Sequence, residues 1–436
     1  MKKTYKKTLT LSVILLLFCA SLPVLGNAEY IKINSYEVET CGIDQNLTLL
    51  RGEHYLYFKA IKNVSSSFNI KYVFPAEYNY QYPIYLEILN DTNMDIANYK
   101  IENDTNELNK IVNFTINSMN NSGEKLIHFN CWVLVKNYDY ENLPGFVEIP
   151  DENMLPEEVK KWLKPSEVVQ SDNILIRLKA KQLKVFTNNN LLKLAEKIAR
   201  FCRYHRYILF LLQYHLENII GYRSQDALTT LFINGECPGR SHLGCALFRA
   251  NQVPARVLLA MPARYDFWFE MHYMTEYYCP RYNWIPIEVH KGVTPYPPQN
   301  QIILRICYPE DENFTQTDFL FPKMKGLERW IWINNENVTP YYKDLKEGSK
   351  IRAYLENSVT VDLNVANDTI DLTHDVFNKY QYYLGRNIEN NEKQSHFENA
   401  TSYMIQAIKE LKTSDDSFGY IYYLNKAEGE FNNINN

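Results

Sequence analysis

The chain has 436 residues, 46% of them hydrophobic and 22% charged, with a net charge of -5, the make-up of an ordinary globular protein of roughly two to four domains. The mild negative charge and the lack of any basic stripe imply no nucleic acid or other polyanion partner. No Gly-rich phosphate loop, Cys-x-x-Cys, His-Glu-x-x-His or EF-hand pattern occurs, so nothing in the sequence requires a metal or a cofactor.

Residues 1–28 read as a secretory signal peptide. Lys2, Lys3, Lys6 and Lys7 precede an apolar stretch at 9–19, and small residues at 23–28 offer cleavage after Gly26 or Ala28. Left uncleaved, residues 9–26 approach spanning length and would act as an anchor, the one route to a membrane that the sequence offers. The expected location is therefore secreted or at the extracellular surface.

Residues 29–150 read as a β-sandwich-like domain, a spacer or binding module. Ile127, Phe129, Cys131, Val133 and Val135 alternate along a half-buried strand. Stretches 55–61, 68–74, 82–89 and 112–116 supply further strands, separated by Asn, Asp and Ser clusters.

Residues 151–350 carry a different pattern. A short helix and turn are expected at 156–169. Leu191, Leu192, Leu194, Ala195, Ile198 and Phe201 line one face of an amphipathic helix, and a second helix is expected at 208–220. Next comes Gly235-Glu236-Cys237-Pro238-Gly239-Arg240. Leu243, Ala246, Leu247 and Ala250 follow at the spacing of one buried helical face, and Pro238 suits the first helical position. Cys237 thus falls at a helix N-terminus, where the macrodipole favours thiolate and free N–H groups can hold an oxyanion. The bland reading is a structural half-cystine. Pairing with Cys245 is disfavoured, because eight helical residues span roughly 12 Å.

A buried strand at 257–260 leads to an aromatic loop with Tyr265, Phe267, Trp268 and Phe269. Strands at 272–278 and 284–287 follow. His272 begins one and Glu288 ends the next, and antiparallel neighbours put those ends side by side. A carboxylate placed there holds an imidazole in the productive tautomer. Singly, such a histidine reads as structural and such a glutamate as solvated. Their joint placement after Cys237 favours chemistry.

Closing strands are expected at 301–307 and 330–333, and more β structure at 350–365. The tail, 351–436, reads as a short β segment and a helical hairpin. Ala400, Met404, Ala407, Ile408 and Leu411 line one helix, and Ile421, Leu424 and Phe431 the other. Removing residues 1–28 leaves seven of the eight cysteines, an odd number, so at least one thiol is unpaired. Cys237 is the natural one, and Cys41–Cys131 a possible bridge. Asn-x-Ser/Thr triplets at Asn46, Asn63, Asn90, Asn113 and Asn337 fit an exported chain.

Over about residues 155–310 the sequence resembles the core of the transglutaminase-like superfamily, a branch of the papain-like cysteine enzymes. The resemblance rests on Cys237, the stretches 247–250 and 253–256, His272 and the stretch 284–288, with a similar lead-in at 226–231. Glu288 stands where that family has Asp, and Met274 where it has Trp. The resemblance implies an α+β fold: a papain-like transglutaminase core with its cysteine helix on an antiparallel sheet, after a β-sandwich domain and before a helical tail. It implies Cys237 as nucleophile, His272 as general base and acid, and Glu288 as orienting carboxylate. Tyr222 is, by position alone, a candidate oxyanion donor. The expected function is acyl transfer on amide carbonyls of glutamine or peptide through a thioester, with a protein or peptide as substrate. Water as acceptor would make a protease or amidase, and loss of activity would leave a surface-binding module.

Overall fold

The structure is a computed structural model that describes residues 44–78, 80–104, 108–137, 143–204, 225–232, 235–263, 271–280, 282–315, 319–320, 323–324, 327–341, 349–388 and 390–435. The expected signal peptide, Cys41, the helix at 208–220, Tyr222 and the aromatic loop at 265–269 lie outside the described residues.

Strand β1 (Asp44–Ala60) is 17 residues long. From Gly52 to Phe58 every second side chain is buried, and Arg51, Glu53, Tyr55 and Tyr57 line the opposite face. That period of two is the mark of a sheet with one covered face. β2 (Phe68–Phe74), β3 (Gln81–Ile88), β4 (Ile96–Asn103), β5 (Lys110–Ile116) and β6 (Lys125–Lys136) follow. β1 pairs with β6 and β6 with β3, whereas β2, β5 and β4 form a second sheet. Tyr72 and Phe114 of the second sheet meet Phe129 of β6 at 6.1 and 5.8 Å between ring centroids, which closes the sandwich. β4 was not legible in the sequence. It is an edge strand rich in Asn, Lys and Glu, with Ile101 its one buried side chain, so its pattern is that of a protected edge.

Helices α1 (Ile174–Lys184), α2 (Leu191–Tyr204), α3 (Ala227–Phe232) and α4 (Cys237–Arg249) come next. A sheet follows in the order β10-β7-β8-β9, from β7 (Ala255–Pro262), β8 (His272–Cys279), β9 (Asn283–Ile287) and β10 (Gln301–Ile306), all antiparallel. α4 packs on β8 and β7. It is buried almost all round rather than on one face, since Gly239, Ser241, Gly244, Cys245 and Ala246 are small enough for neighbours on every side.

After β10 the chain returns to the sandwich. β11 (Ile331–Ile333) pairs with β2, β12 (Val338–Pro340) with the end of β1, and β13 (Lys350–Asp362) with most of β1. The strand expected at 330–333 as a closing strand of the core therefore belongs to another sheet. The expected terminal hairpin is three helices: α5 (Leu363–Tyr383), α6 (Asn391–Thr413) and α7 (Phe418–Asn435). The β pattern expected up to 365 stops earlier because Asp362 caps α5, accepting from the Asn364 N–H at 2.8 Å.

The free edge of β10 meets the sandwich through two buried side-chain amides. Gln81 donates to Ile303 O at 2.8 Å and accepts from Ile303 N at 2.7 Å. Asn109 does the same for Ile306, with both contacts at 2.8 Å. Each amide acts as one residue of a missing neighbouring strand, and the Ala76 N–H also donates to Ile303 O at 3.0 Å, so the edge is covered. Tyr80 adds a 2.7 Å hydrogen bond to Glu276 of β8.

Candidate active site

Cys237 is the first residue of α4, after Glu236 in extended conformation, so Pro238 occupies the second position rather than the first. Either position leaves no hydrogen bond unmade, because the first four helical N–H groups have no partner within the helix. Cys237 is free and partly exposed. Cys131, Cys202, Cys245, Cys279 and Cys307 are free and buried, which rules out a Cys237–Cys245 bridge here. Burial pushes Cys131, Cys202, Cys245 and Cys279 up to about 12, so these thiols are inert as nucleophiles.

His272 opens β8 and pairs with Ala260 of β7. Its Nε2–H donates to Glu288 Oε2 at 2.5 Å. Glu288 lies one residue past β9, with its side chain 1% exposed against 19% for His272. The Glu288 backbone is tied to Val293 through 2.9 and 3.1 Å bonds, and its Oε1 accepts from His290 N at 2.9 Å. The carboxylate therefore cannot swing away. Glu288 takes Nε2, and Cys237 interacts with the same ring and raises its affinity for a proton, which leaves Nδ1 for exchange with sulfur.

Burial opposes a charged His272, but the Glu288 carboxylate and Cys237 outweigh it and push the imidazole up to about 10. Burial would raise Glu288, yet the neighbouring imidazole, the His290 N–H and Lys291 hold it below the usual carboxylate range. His290, whose ring centroid is 6.4 Å from that of His272, is pushed down to about 4 by burial and Arg240 and stays neutral.

Three side chains that sequence reasoning missed hold β8 in place, two of them against α4. Ser241, one turn beyond Cys237, donates to Tyr273 O at 2.9 Å, and Thr275 donates back to Ser241 O at 3.2 Å. Trp330 donates through Nε1 to the Tyr273 hydroxyl at 3.1 Å. The i, i+4 spacing of Cys237 and Ser241 was the available signal for the first; Trp330 has none, since it lies far away in sequence. Arg256, in the motif at 253–256, is no part of the site. It is buried against Glu276 at 2.8 Å and lies 4.0 Å from the Trp284 ring centroid.

Among the described residues, no cluster of three or more His, Cys, Asp or Glu side chains is arranged to hold a metal ion. A cavity of about 540 Å³ lies at the far end of α4, lined by Lys160, Lys161, Lys164 and Arg249 among others, and includes none of Cys237, His272 and Glu288.

The site thus joins a thiol, an imidazole and a carboxylate on a helix and a sheet of an α+β core. Residues 187–289 match the family model of the transglutaminase-like superfamily. Two solved structures resemble the chain. One is a candidate cysteine protease from Cytophaga hutchinsonii, at 15% identity and TM-score 0.44, covering 72% of this chain and 100% of its own. The other is a candidate protease from Parabacteroides distasonis, at 12% identity and TM-score 0.22, covering 54% of this chain and 42% of its own. No curated protein matches the sequence.

Proposed function

We propose that the protein is an exported cysteine enzyme that transfers acyl groups from amide carbonyls of glutamine or peptide substrates, with Cys237, His272 and Glu288 as its triad. One observation carries the reading: the His272 ring is held by a buried carboxylate on one nitrogen and touches the Cys237 side chain. Export rests on the basic and apolar pattern of residues 1–28.

Cys237 passes its proton to His272, and the thiolate attacks the carbonyl carbon, forming a C–S bond and an oxyanion. The imidazolium then protonates the leaving nitrogen as the C–N bond breaks, which gives a thioester and a free amine. The second nucleophile gives a proton to His272, attacks the thioester and releases the sulfur. An amine acceptor yields a new amide; water yields an acid. The acceptor is set by how dry and how shaped the groove is around the thioester.

The test is alkylation of Cys237 by iodoacetamide from pH 5 to 9, mapped by mass spectrometry, followed by glutamine peptides offered with and without a primary amine. Selective labelling near neutral pH that slows in His272→Ala is the expected result. Amine incorporation then separates transfer from hydrolysis. A Cys237 that reacts only at high pH, like an ordinary thiol, would leave a binding protein on this fold.

A further inference from the structure

The first turn of α4 carries a buried polar arrangement that the triad does not use. Gln225 is fully buried, and its Oε1 accepts from the Glu236 N–H at 3.0 Å. Its own carbonyl accepts from His242 Nδ1 on α4, which fixes Gln225 against that helix. Among the described residues, its Nε2 is buried with no hydrogen-bond partner, as is Oγ1 of the fully buried Thr230. Gly235 and Gly239 make room for both: a Cβ at Gly239 would stand 2.5 Å from Thr230 Oγ1 and 2.7 Å from Gln225 Oε1. A Cβ at Gly235 would stand 2.6 Å from the same threonine.

Gly239 and Cys237 lie roughly 200° apart around the helix, so Gln225 is behind the turn and the thiol is in front of it. The side chain therefore reaches the backbone of the site rather than its substrate. Glu236 is gripped at two points. Gln225 holds its N–H, and the Arg240 N–H holds its carbonyl at 2.9 Å. That carbonyl shares a peptide plane with the Cys237 N–H. With the carbonyl aimed down the helix, the Cys237 N–H points out of the N-terminus, where the oxyanion of an acyl intermediate forms.

We infer that Gln225 is a positioning residue, whose side-chain oxygen fixes Glu236 and thereby presets the Cys237 N–H as an oxyanion donor. The inference rests on the proposed cysteine chemistry. It differs from it in naming an acceptor contact behind the nucleophile, which makes the amide nitrogen of Gln225 dispensable.

Two reagents separate the roles. Acylation by p-nitrophenyl acetate passes through a tetrahedral oxyanion: the Cys237 thiolate adds to the carbonyl, and p-nitrophenolate leaves as the C–O bond breaks. Alkylation by iodoacetamide displaces iodide at carbon and forms no oxyanion. Gln225→Leu, which removes the acceptor, is expected to slow acylation of Cys237 roughly 10- to 100-fold while alkylation between pH 5 and 9 stays within twofold. Gln225→Glu, which keeps an acceptor oxygen, is expected to restore acylation to within about threefold of wild type. Both variants are first checked for wild-type circular dichroism and thermal unfolding. Equal loss of both reactions in Gln225→Leu, or equal loss of acylation in the two variants, would show a merely structural side chain and overturn the inference. Full acylation in Gln225→Leu would overturn it too. Wild-type protein that neither acylates nor alkylates at Cys237 would instead sink the enzymatic reading itself.

Discussion

Glu288, one residue past β9, meets His272, the first residue of β8, at 2.5 Å. β9 ends at Ile287, opposite Thr275, and Glu288, the next residue, continues toward the start of β8 before the chain turns to Val293. The contact is made by a carboxylate one methylene longer than aspartate, at the start of a turn that holds Gly292 at φ +71°.

That geometry predicts a graded series. Glu288→Gln keeps the shape but removes the charge that holds His272 up, so alkylation of Cys237 at pH 7 is expected to fall roughly tenfold or more. Glu288→Asp keeps the charge at shorter reach and is expected to fall between Gln and wild type. Iodoacetamide rates for the three proteins check the order, and a Gln variant as fast as wild type would count against the ion pair.

The same pair predicts a pH signature in stability. The folded-state imidazole is raised from 6.5 to about 10, so its contribution is complete below about 6.5 and is lost as pH rises toward 10. The unfolding free energy of wild type minus that of His272→Ala should decline across this interval. Urea titrations at half-unit steps measure it, and a difference that grows with pH would mean the histidine is held neutral.

Gly244 faces Val289 across the helix–sheet seam, and a Cβ there would stand 2.9 Å from Val289 Cγ1. Gly244→Ala is expected to destabilise the fold by about 1–3 kcal/mol through overpacking. Val289→Ala in the same chain should recover part of that loss. Chemical denaturation of the single and double variants tests the pairing, and purely additive losses would place the strain elsewhere.

The amide contacts on β10 can be tested in the same way. Gln81→Met leaves the Ile303 N–H buried without its partner, at a cost of about 1–3 kcal/mol. Asn109→Leu does the same to Ile306. Faster amide hydrogen exchange confined to β10 is the expected signature; unchanged exchange there would mean that water replaces the amides.

Cys237, His272 and Glu288 were legible because each sits at an end of a locally patterned element: one helix start and two strand ends. Antiparallel pairing alone brings His272 and Glu288 together, whereas the place of Cys237 depends on how α4 packs on β8. The positions of Ser241, Thr275 and Gln225 depend on side-chain hydrogen bonds between elements, which leave no period in the sequence. The all-round burial of α4 was hidden because glycine, serine, cysteine and alanine do not read as an apolar face. The role of 331–362 was hidden for a different reason. Its alternation marks strands, but nothing local says which sheet they join.

That last pairing bears on how the molecule is made. Thr48 and Ser358 share a 2.9 Å hydrogen bond across 310 residues of chain, and β1 reaches its full set of neighbours only when β13 arrives. The segment bearing α4 and β7–β10 emerges from the ribosome earlier. The cysteine-bearing core can therefore begin to order while one long edge of β1 still waits, exposed, for its partner. Late-arriving chain completes the first-made half, so a nascent protein stalled before residue 350 would be prone to pair that edge with a second copy of itself.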